Sequence, residues 1–212
     1  MVSLAFDARL TSKGYGLLPY MSYSFCFLGF FSGPFYSFGT FSDAITNLYL
    51  SDLSTIGSTL TELAFVPLYG VLFVVLKHYF PVEHVVSNEF LHHPWGILYR
   101  LAYYNPIIVW FRMRFYIAWQ IAFAGCIAAG VGAYPKATVP HCGHGPTVVG
   151  DDAEWRVARP GVELDYTTVR QLDVWKLETM TNVATAFANW NMTIQFWLYR
   201  YVSQEFPWRS YR

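Results

Sequence analysis

Charge is the scarcest commodity in this chain: Asp, Glu, Lys and Arg make up 13% of its 212 residues, about half the roughly 25% usual for soluble domains. The 14 basic and 14 acidic residues balance to a formal net charge of zero. That balance lacks the clustered positive charge a nucleic-acid binder needs against phosphates, so no nucleic-acid partner is expected. Cysteine is equally sparse, with Cys26 and Cys126 inside apolar runs and Cys142 in a polar stretch. Count and context exclude a secreted disulfide scaffold and leave buried thiols as the expectation. A secretory signal is also missing, since Asp7 precedes Arg9 and Lys13 and no small-residue cleavage site follows a compact apolar core. There is no internal repeat, low-complexity tract, Walker loop, nucleophile elbow or dinucleotide fingerprint. Aromatic side chains are abundant instead: 16 Tyr, 18 Phe and 8 Trp in a chain that is 54% hydrophobic. A soluble domain of this length leaves too much surface exposed to hide them all. The composition therefore points to a protein embedded in lipid.

Because an ionised side chain in hydrocarbon is costly, the charge-free intervals are the candidate spans. Residues 14–42, 63–76, 115–135 and 179–199 contain no Asp, Glu, Lys or Arg, and 101–111 is a shorter run between Arg100 and Arg112. Phe115 to Tyr134, FYIAWQIAFAGCIAAGVGAY, has the length of a transmembrane helix, for which about 20 apolar residues suffice. Its Ala122, Gly125, Ala129 and Gly132 share one face where another helix can approach closely. The 63–76 run is short and interrupted by Pro67 and Gly70, so it spans only with its flanks. Leu17 to Phe41 contains Gly29, Gly33, Pro34 and Gly39 and is expected to be a broken or re-entrant segment covered by other protein. In 99–111, Asn105-Pro106 predicts a helix that starts near Pro106 and lies at the interface.

Residues 136–178 hold 12 of the 28 charged residues and read as an aqueous loop. The following stretch, Thr179 to Tyr199, is uncharged yet unusually polar, with Asn182, Asn189, Asn191, Gln195 and four Thr. A helix of that kind should face protein or a cavity.

Within it, Asn191 places a side-chain amide in an uncharged run, where it costs free energy unless satisfied. Either an interhelical hydrogen bond or a substrate can satisfy it. Asn191-Met192-Thr193 also matches a glycosylation sequon, but its setting between Trp190 and Trp197 argues against an exposed loop. Arg112 and Arg114 border the Phe115 helix, where guanidiniums either snorkel to headgroups or clamp phosphate. Their i, i+2 spacing sets them on different helix faces, which weakens a shared clamp. His141, Cys142 and His144 are metal-ligand types without a fourth ligand nearby, and His78, His92 and His93 also lack partners that define a site. No metal is expected.

Three stretches resemble the membrane-bound O-acyltransferase family, specifically its lysophosphatidylinositol acyltransferase branch: SYSFCFLGFFSGPFYSFGTF at Ser22 to Phe41, FRMRFYIAWQIAFAGCIAAGVGAYP at Phe111 to Pro135, and NWNMTIQFWLYRYV at Asn189 to Val202. A weaker likeness, DYTTVRQLDVW at Asp165 to Trp175, lies between the last two. The resemblance implies transfer of a fatty acyl group from acyl-CoA to the free hydroxyl of a lysophospholipid, in an integral membrane protein of the endoplasmic reticulum. It also implies catalysis by an Asn and a His. By motif match Asn191 is the Asn, and its amide would orient the hydroxyl or donate to the oxyanion at the thioester carbonyl. A His would take the hydroxyl proton. The family sets that His downstream in a Trp-His-Gly context, which occurs nowhere in this sequence. The branch also carries basic residues after Gly-Pro-Phe, where this chain has Ser37 and Gly39.

The combined reading is an all-α, polytopic membrane helix bundle, a single partial domain over residues 1–212 of a larger acyltransferase, truncated at both ends and inactive by itself. Asn191 is the catalytic candidate, Arg112 and Arg114 are candidate substrate contacts, and acyl-CoA, lysophospholipid and membrane lipids are the partners, with no cofactor beyond the co-substrate. The competing reading is a non-catalytic membrane module that packs a protein partner on the small-residue face of Phe115 to Tyr134. A channel ranks last, because the polar helix carries no charged stripe.

Overall fold

The computed structural model describes residues 17–29, 33–46, 55–147 and 162–204. Residues 30–32 of the Gly/Pro-rich stretch, 148–161 of the expected polar loop, and Asp7, Arg9 and Lys13 lie outside the described residues. In chain order the helices are α1 (Leu17–Ser24), α2 (Phe38–Thr46), α3 (Ile56–Leu63), α4 (Val66–Tyr79), the one-turn α5 (Asn88–Leu91) and α6 (Gly96–Ala128). Four two-residue strands follow: β1 (Tyr134–Pro135), β2 (Pro140–His141), β3 (Gly145–Pro146) and β4 (Leu164–Asp165). The chain then forms α7 (Val174–Glu178), α8 (Val183–Asn189), α9 (Met192–Trp197) and a π-helical turn over Leu198–Ser203.

Residues 56–86 and 96–128 are long and apolar enough to cross a membrane. In the first, Pro67 has no N–H to donate, and the regular helix is interrupted at Ala64–Phe65 between α3 and α4, although both residues keep right-handed helical angles. None of the most apolar window of that stretch is buried within the chain, as expected of a surface in contact with lipid or further helices.

The second stretch corrects two sequence expectations. Pro106 does not begin a helix at the interface; it lies inside the 33-residue α6. Pro106 cannot donate to the carbonyl four residues back, and the neighbouring Asn105 side chain donates to Leu101 O at 3.0 Å, supplying a polar contact in that turn. At about 1.5 Å per residue, α6 is some 50 Å long and exceeds the roughly 30 Å hydrocarbon thickness. Its far end is also earlier than Tyr134. Gly130 adopts φ 72°, its N–H reaches Ile127 O at 2.9 Å, and Val131 N–H reaches Cys126 O at 2.9 Å. This is a Schellman cap, which glycine alone enters without steric cost.

α4 and α6 form an antiparallel hairpin whose turn is filled with aromatic rings. Tyr103 donates to Pro81 O at 3.1 Å and Trp110 to Phe80 O at 3.3 Å, which satisfies carbonyls where α4 ends. Phe90 is 1% exposed there, against Tyr99, Tyr103 and His84.

Two buried clusters sit along the C-terminal half of α6. One joins Phe123, Cys126, Ile127 and Val131 to Tyr36, Phe38, Phe41 and Val169. The other joins Met113, Tyr116 and Trp119 to Leu172 and Leu177, with Trp190 packed against it. The broken character expected for Leu17 to Phe41 is present: α1 and α2 are separate, and Ser37 starts α2 by accepting from Thr40 N at 3.2 Å. In the interval read as an aqueous loop, β4 pairs antiparallel with β1 just before it, and Thr168, Val169, Gln171, Leu172 and Leu177 are buried. Val169, Leu172 and Leu177 of that interval pack against α6.

Candidate functional site

The stretch Thr179 to Tyr199, expected as one helix, breaks into two around Asn191. α8 ends at Asn189, Trp190 is extended, and Asn191 takes the left-handed conformation at φ 51°, ψ 48° before α9 begins. Asn is among the few side chains that enter this region readily, whereas a β-branched residue would be strained. The bend is held by main-chain bonds from another part of the sequence. Met192 N–H donates to Gln171 O at 2.7 Å and Asp173 N–H to Asn189 O at 3.2 Å. The Gln195 side chain closes the inside of the bend by donating to Phe187 O and Trp190 O.

Side chains fix the elbow on two further sides. Trp190 meets Trp119 edge-on at 4.9 Å and Phe115 at 5.5 Å, which anchors it to α6. Thr193, fully buried, accepts at Oγ1 from Phe35 N at 3.2 Å, and the Phe35 ring packs on Phe196 and Tyr201. The stretches around Gly-Pro-Phe, Phe111 to Pro135 and Asn-Trp-Asn therefore meet at one place.

At that place the Asn191 side-chain oxygen is buried and has no hydrogen-bond partner among the described residues. Leaving such an acceptor dry costs about 1–3 kcal/mol. A ligand that donates a hydrogen bond would relieve it. Beside the elbow lies a cavity of about 530 Å³, lined by His141, Cys142, His144, Thr167, Met192 and Phe196 among others. The β2–β3 hairpin presses into its wall at Gly143, whose φ is 74° and where a Cβ would stand 2.5 Å from the Phe196 ring. His144 meets Phe196 edge-on at 5.7 Å, and Cys142 Sγ lies 4.0 Å from Met192 Sδ. Burial pushes the Cys142 thiol up from its ordinary range, so it stays protonated. Among the described residues no group of three His, Cys, Asp or Glu is arranged to hold a metal.

The two candidate arginines stand apart. Arg112, the middle residue of α6, pairs with Glu178 Oε2 at 3.0 Å. Tyr116, one turn on, donates to Glu178 Oε1 at 2.5 Å. Arg114 lies on another face, with its guanidinium 4.5 Å from the Phe111 ring centre and 5.7 Å from that of Trp110. They form no shared clamp.

Gln120 continues the Arg112–Tyr116 stripe at i+8 and reaches Glu62 Oε2 at 3.3 Å, while Arg170 reaches Glu62 Oε1 at 3.4 Å. Glu62, Glu178, Tyr116, Gln120 and Arg170 were not candidates from sequence. A signal existed for one of them: Gln120 is a polar residue within the uncharged, largely apolar run Phe115 to Tyr134, and such groups need partners. Their partners are far away in sequence, so the network itself was invisible. The small-residue face is covered in part by the chain's own residues: a Cβ at Gly125 would meet Leu28 at 3.8 Å, whereas Ala129 is exposed.

Residues 3–211 match the sequence profile of the membrane-bound O-acyltransferase family. The chain is 36% identical over 195 residues to the membrane-bound acylglycerophosphatidylinositol O-acyltransferases of Homo sapiens and Mus musculus, covering 92% of this chain and 41% of each relative. Against the membrane-bound acylglycerophosphatidylinositol O-acyltransferase of Drosophila melanogaster the identity is 28% over 196 residues, covering 91% of this chain and 39% of the relative. The chain thus spans about two fifths of the length of these curated relatives. With its profile match running almost end to end, and with the matching stretches converging on Asn191, this chain belongs to the membrane-bound O-acyltransferase family.

Proposed function

We propose that this chain carries the Asn half of a lysophospholipid acyltransferase site, which passes a fatty acyl group from acyl-CoA to the free hydroxyl of lysophosphatidylinositol in the endoplasmic reticulum membrane. The observation that supports the reading is the dry acceptor on Asn191 at a tightly held elbow beside a cavity. A lysolipid hydroxyl is a donor suited to that acceptor. Once bound, the hydroxyl is oriented by Asn191, loses its proton to a general-base His and attacks the thioester carbonyl. Collapse of the tetrahedral intermediate releases the CoA thiolate, which takes up a proton. On this reading a Trp-His-Gly His has to reach Asn191 to complete the chemistry, because a general base contributes about 10²–10⁴ in rate.

The test follows labelled acyl transfer from acyl-CoA to lysophosphatidylinositol by the protein carrying these residues, in membranes devoid of background activity. Asn191→Ala is expected to lower kcat by about 10²–10³. Transfer unaffected by that substitution overturns the assignment. The competing interaction-module reading predicts the opposite pattern: bulky residues at Gly125 and Ala129 abolish association with a partner, and Asn191→Ala has no consequence in cells.

A further inference from the structure

Tyr116 of α6 is 0% exposed, and its two ends serve two different neighbours. Its ring lies against Trp190, the residue before Asn191, with centroids 6.3 Å apart. Its hydroxyl donates to Glu178 Oε1 at 2.5 Å, at the short end of the range for bonds to an ionised acceptor. Arg112, one turn earlier, donates to the other oxygen of the same carboxylate at 3.0 Å.

Glu178 is remote from the elbow, yet it terminates the stretch that brackets it. Gln171 O receives the Met192 N–H at 2.7 Å, and Asp173 N–H reaches Asn189 O at 3.2 Å. One short segment is thus bonded to the main chain on both sides of Trp190 and Asn191. Its Leu172 and Leu177, both 4% exposed, pack in the cluster that contains Met113, Tyr116 and Trp119. α7 then carries the segment to Glu178, the far pin of the bracket. Tyr116 therefore holds the pin with its oxygen and Trp190 with its ring.

A left-handed residue such as Asn191 persists in one geometry only where its surroundings over-determine it. The rate is sensitive to that geometry, because a misplacement of about 1 Å caused far from the chemistry can cost about 10²-fold. Neither Tyr116 nor Glu178 lines the cavity beside Met192, so their route to the reaction runs through the elbow.

We propose that Tyr116 is a positioning residue for Asn191: its hydroxyl pins Glu178 and, through the bracket from Gln171 to Glu178, fixes the elbow that presents the Asn191 amide. The consequence for acyl transfer rests on the acyltransferase reading, whereas the hold on the elbow does not.

Tyr116→Phe keeps the ring against Trp190 and removes only the oxygen. In the protein carrying these residues it is expected to lower kcat for acyl transfer to lysophosphatidylinositol by about tenfold, with KM within about twofold of wild type. In an Asn191→Gly background the same substitution should leave kcat unchanged, because a residue that acts through Asn191 then has nothing to position. Hydrogen exchange gives a readout independent of transfer: the Met192 N–H should lose protection in Tyr116→Phe while the amides of α4 keep theirs. Glu178→Gln retains an acceptor for the hydroxyl without its charge and should give smaller changes in the same direction, which keeps the experiment decisive if Tyr116→Phe misfolds. A loss of kcat that persists in the Asn191→Gly background, or unchanged exchange at Met192, overturns the proposal. If Asn191→Ala leaves transfer intact, the acyltransferase assignment of Asn191 falls, and exchange at Met192 by itself decides whether Tyr116 holds the elbow. Transfer that depends on Asn191 but is indifferent to Tyr116→Phe removes the positioning role and leaves the acyltransferase reading intact.

Discussion

The backbone N–H of Phe35 donates to the Thr193 hydroxyl at 3.2 Å, joining residues 158 positions apart two residues beyond Asn191. Thr193 is fully buried, so water cannot replace the bond. Thr193→Val keeps the shape and removes the acceptor. It is expected to cost about 1–3 kcal/mol, read as a lower melting temperature in detergent, whereas Thr193→Ser should lose less.

Asn191 combines a conformational role with a chemical one, and glycine separates them. Asn191→Gly tolerates φ 51° without strain but has no amide. Its melting temperature should stay closer to wild type than that of Asn191→Ala, while its acyl transfer should be as deeply impaired. Full activity in the glycine variant would show that only the bend matters.

Arg112 and Glu178 should be energetically coupled. A double-mutant cycle with Arg112→Met and Glu178→Gln is expected to give an interaction energy of about 0.5–3 kcal/mol, with the double variant losing less than the two single variants together. Tyr116→Phe should weaken the Glu178 arrangement further, since its hydroxyl donates to the other carboxylate oxygen. Additive losses in chemical denaturation would mean that the pair contributes nothing specific.

Val139 adopts φ 47°, ψ 67° at the end of a short 3₁₀ turn, a conformation unfavourable for a β-branched side chain. The residue is half exposed, so little packing is lost on truncation. Val139→Gly is expected to raise stability by about 1 kcal/mol, measurable as an increased melting temperature.

Asp173 starts α7 by accepting from Lys176 N at 3.2 Å and pairs with the Lys176 ammonium at 3.0 Å. Burial alone would raise its pKa, but the Lys176 N–H and ammonium, together with the Arg170 charge, hold it below the ordinary carboxylate range. A depressed folded pKa means stability that is present above the unfolded value of about 3.9 and lost as pH falls through the folded one. Asp173→Asn should therefore lower stability at neutral pH and flatten its decline below about pH 4, as followed by pH-dependent denaturation.

Scarce charge and abundant aromatics decided the lipid-embedded class, because those are sums over composition that no fold can alter. Apolar run length located the body of α6 in Phe115 to Tyr134, and motif resemblance pointed to Asn191. Element ends were less legible. Pro106 normally breaks a helix, yet here it is carried within α6, whose packing outweighs the bond it loses. At the other end Gly130 stopped the helix through a Schellman cap, although its neighbours read as an unbroken apolar run.

Tertiary structure alone decided the rest. The 179–199 stretch looked like one helix because apolar character records what is buried, not where the main chain bends. The bend at Asn191 depends on Gln171, Asp173, Trp119 and Phe35. Likewise, no local pattern announced that Glu178 and Arg170 would pair with Arg112 and Glu62. Local patterning reports periodicity within about a dozen residues, whereas these partners lie farther apart in sequence. Only folding brings them within hydrogen-bond reach.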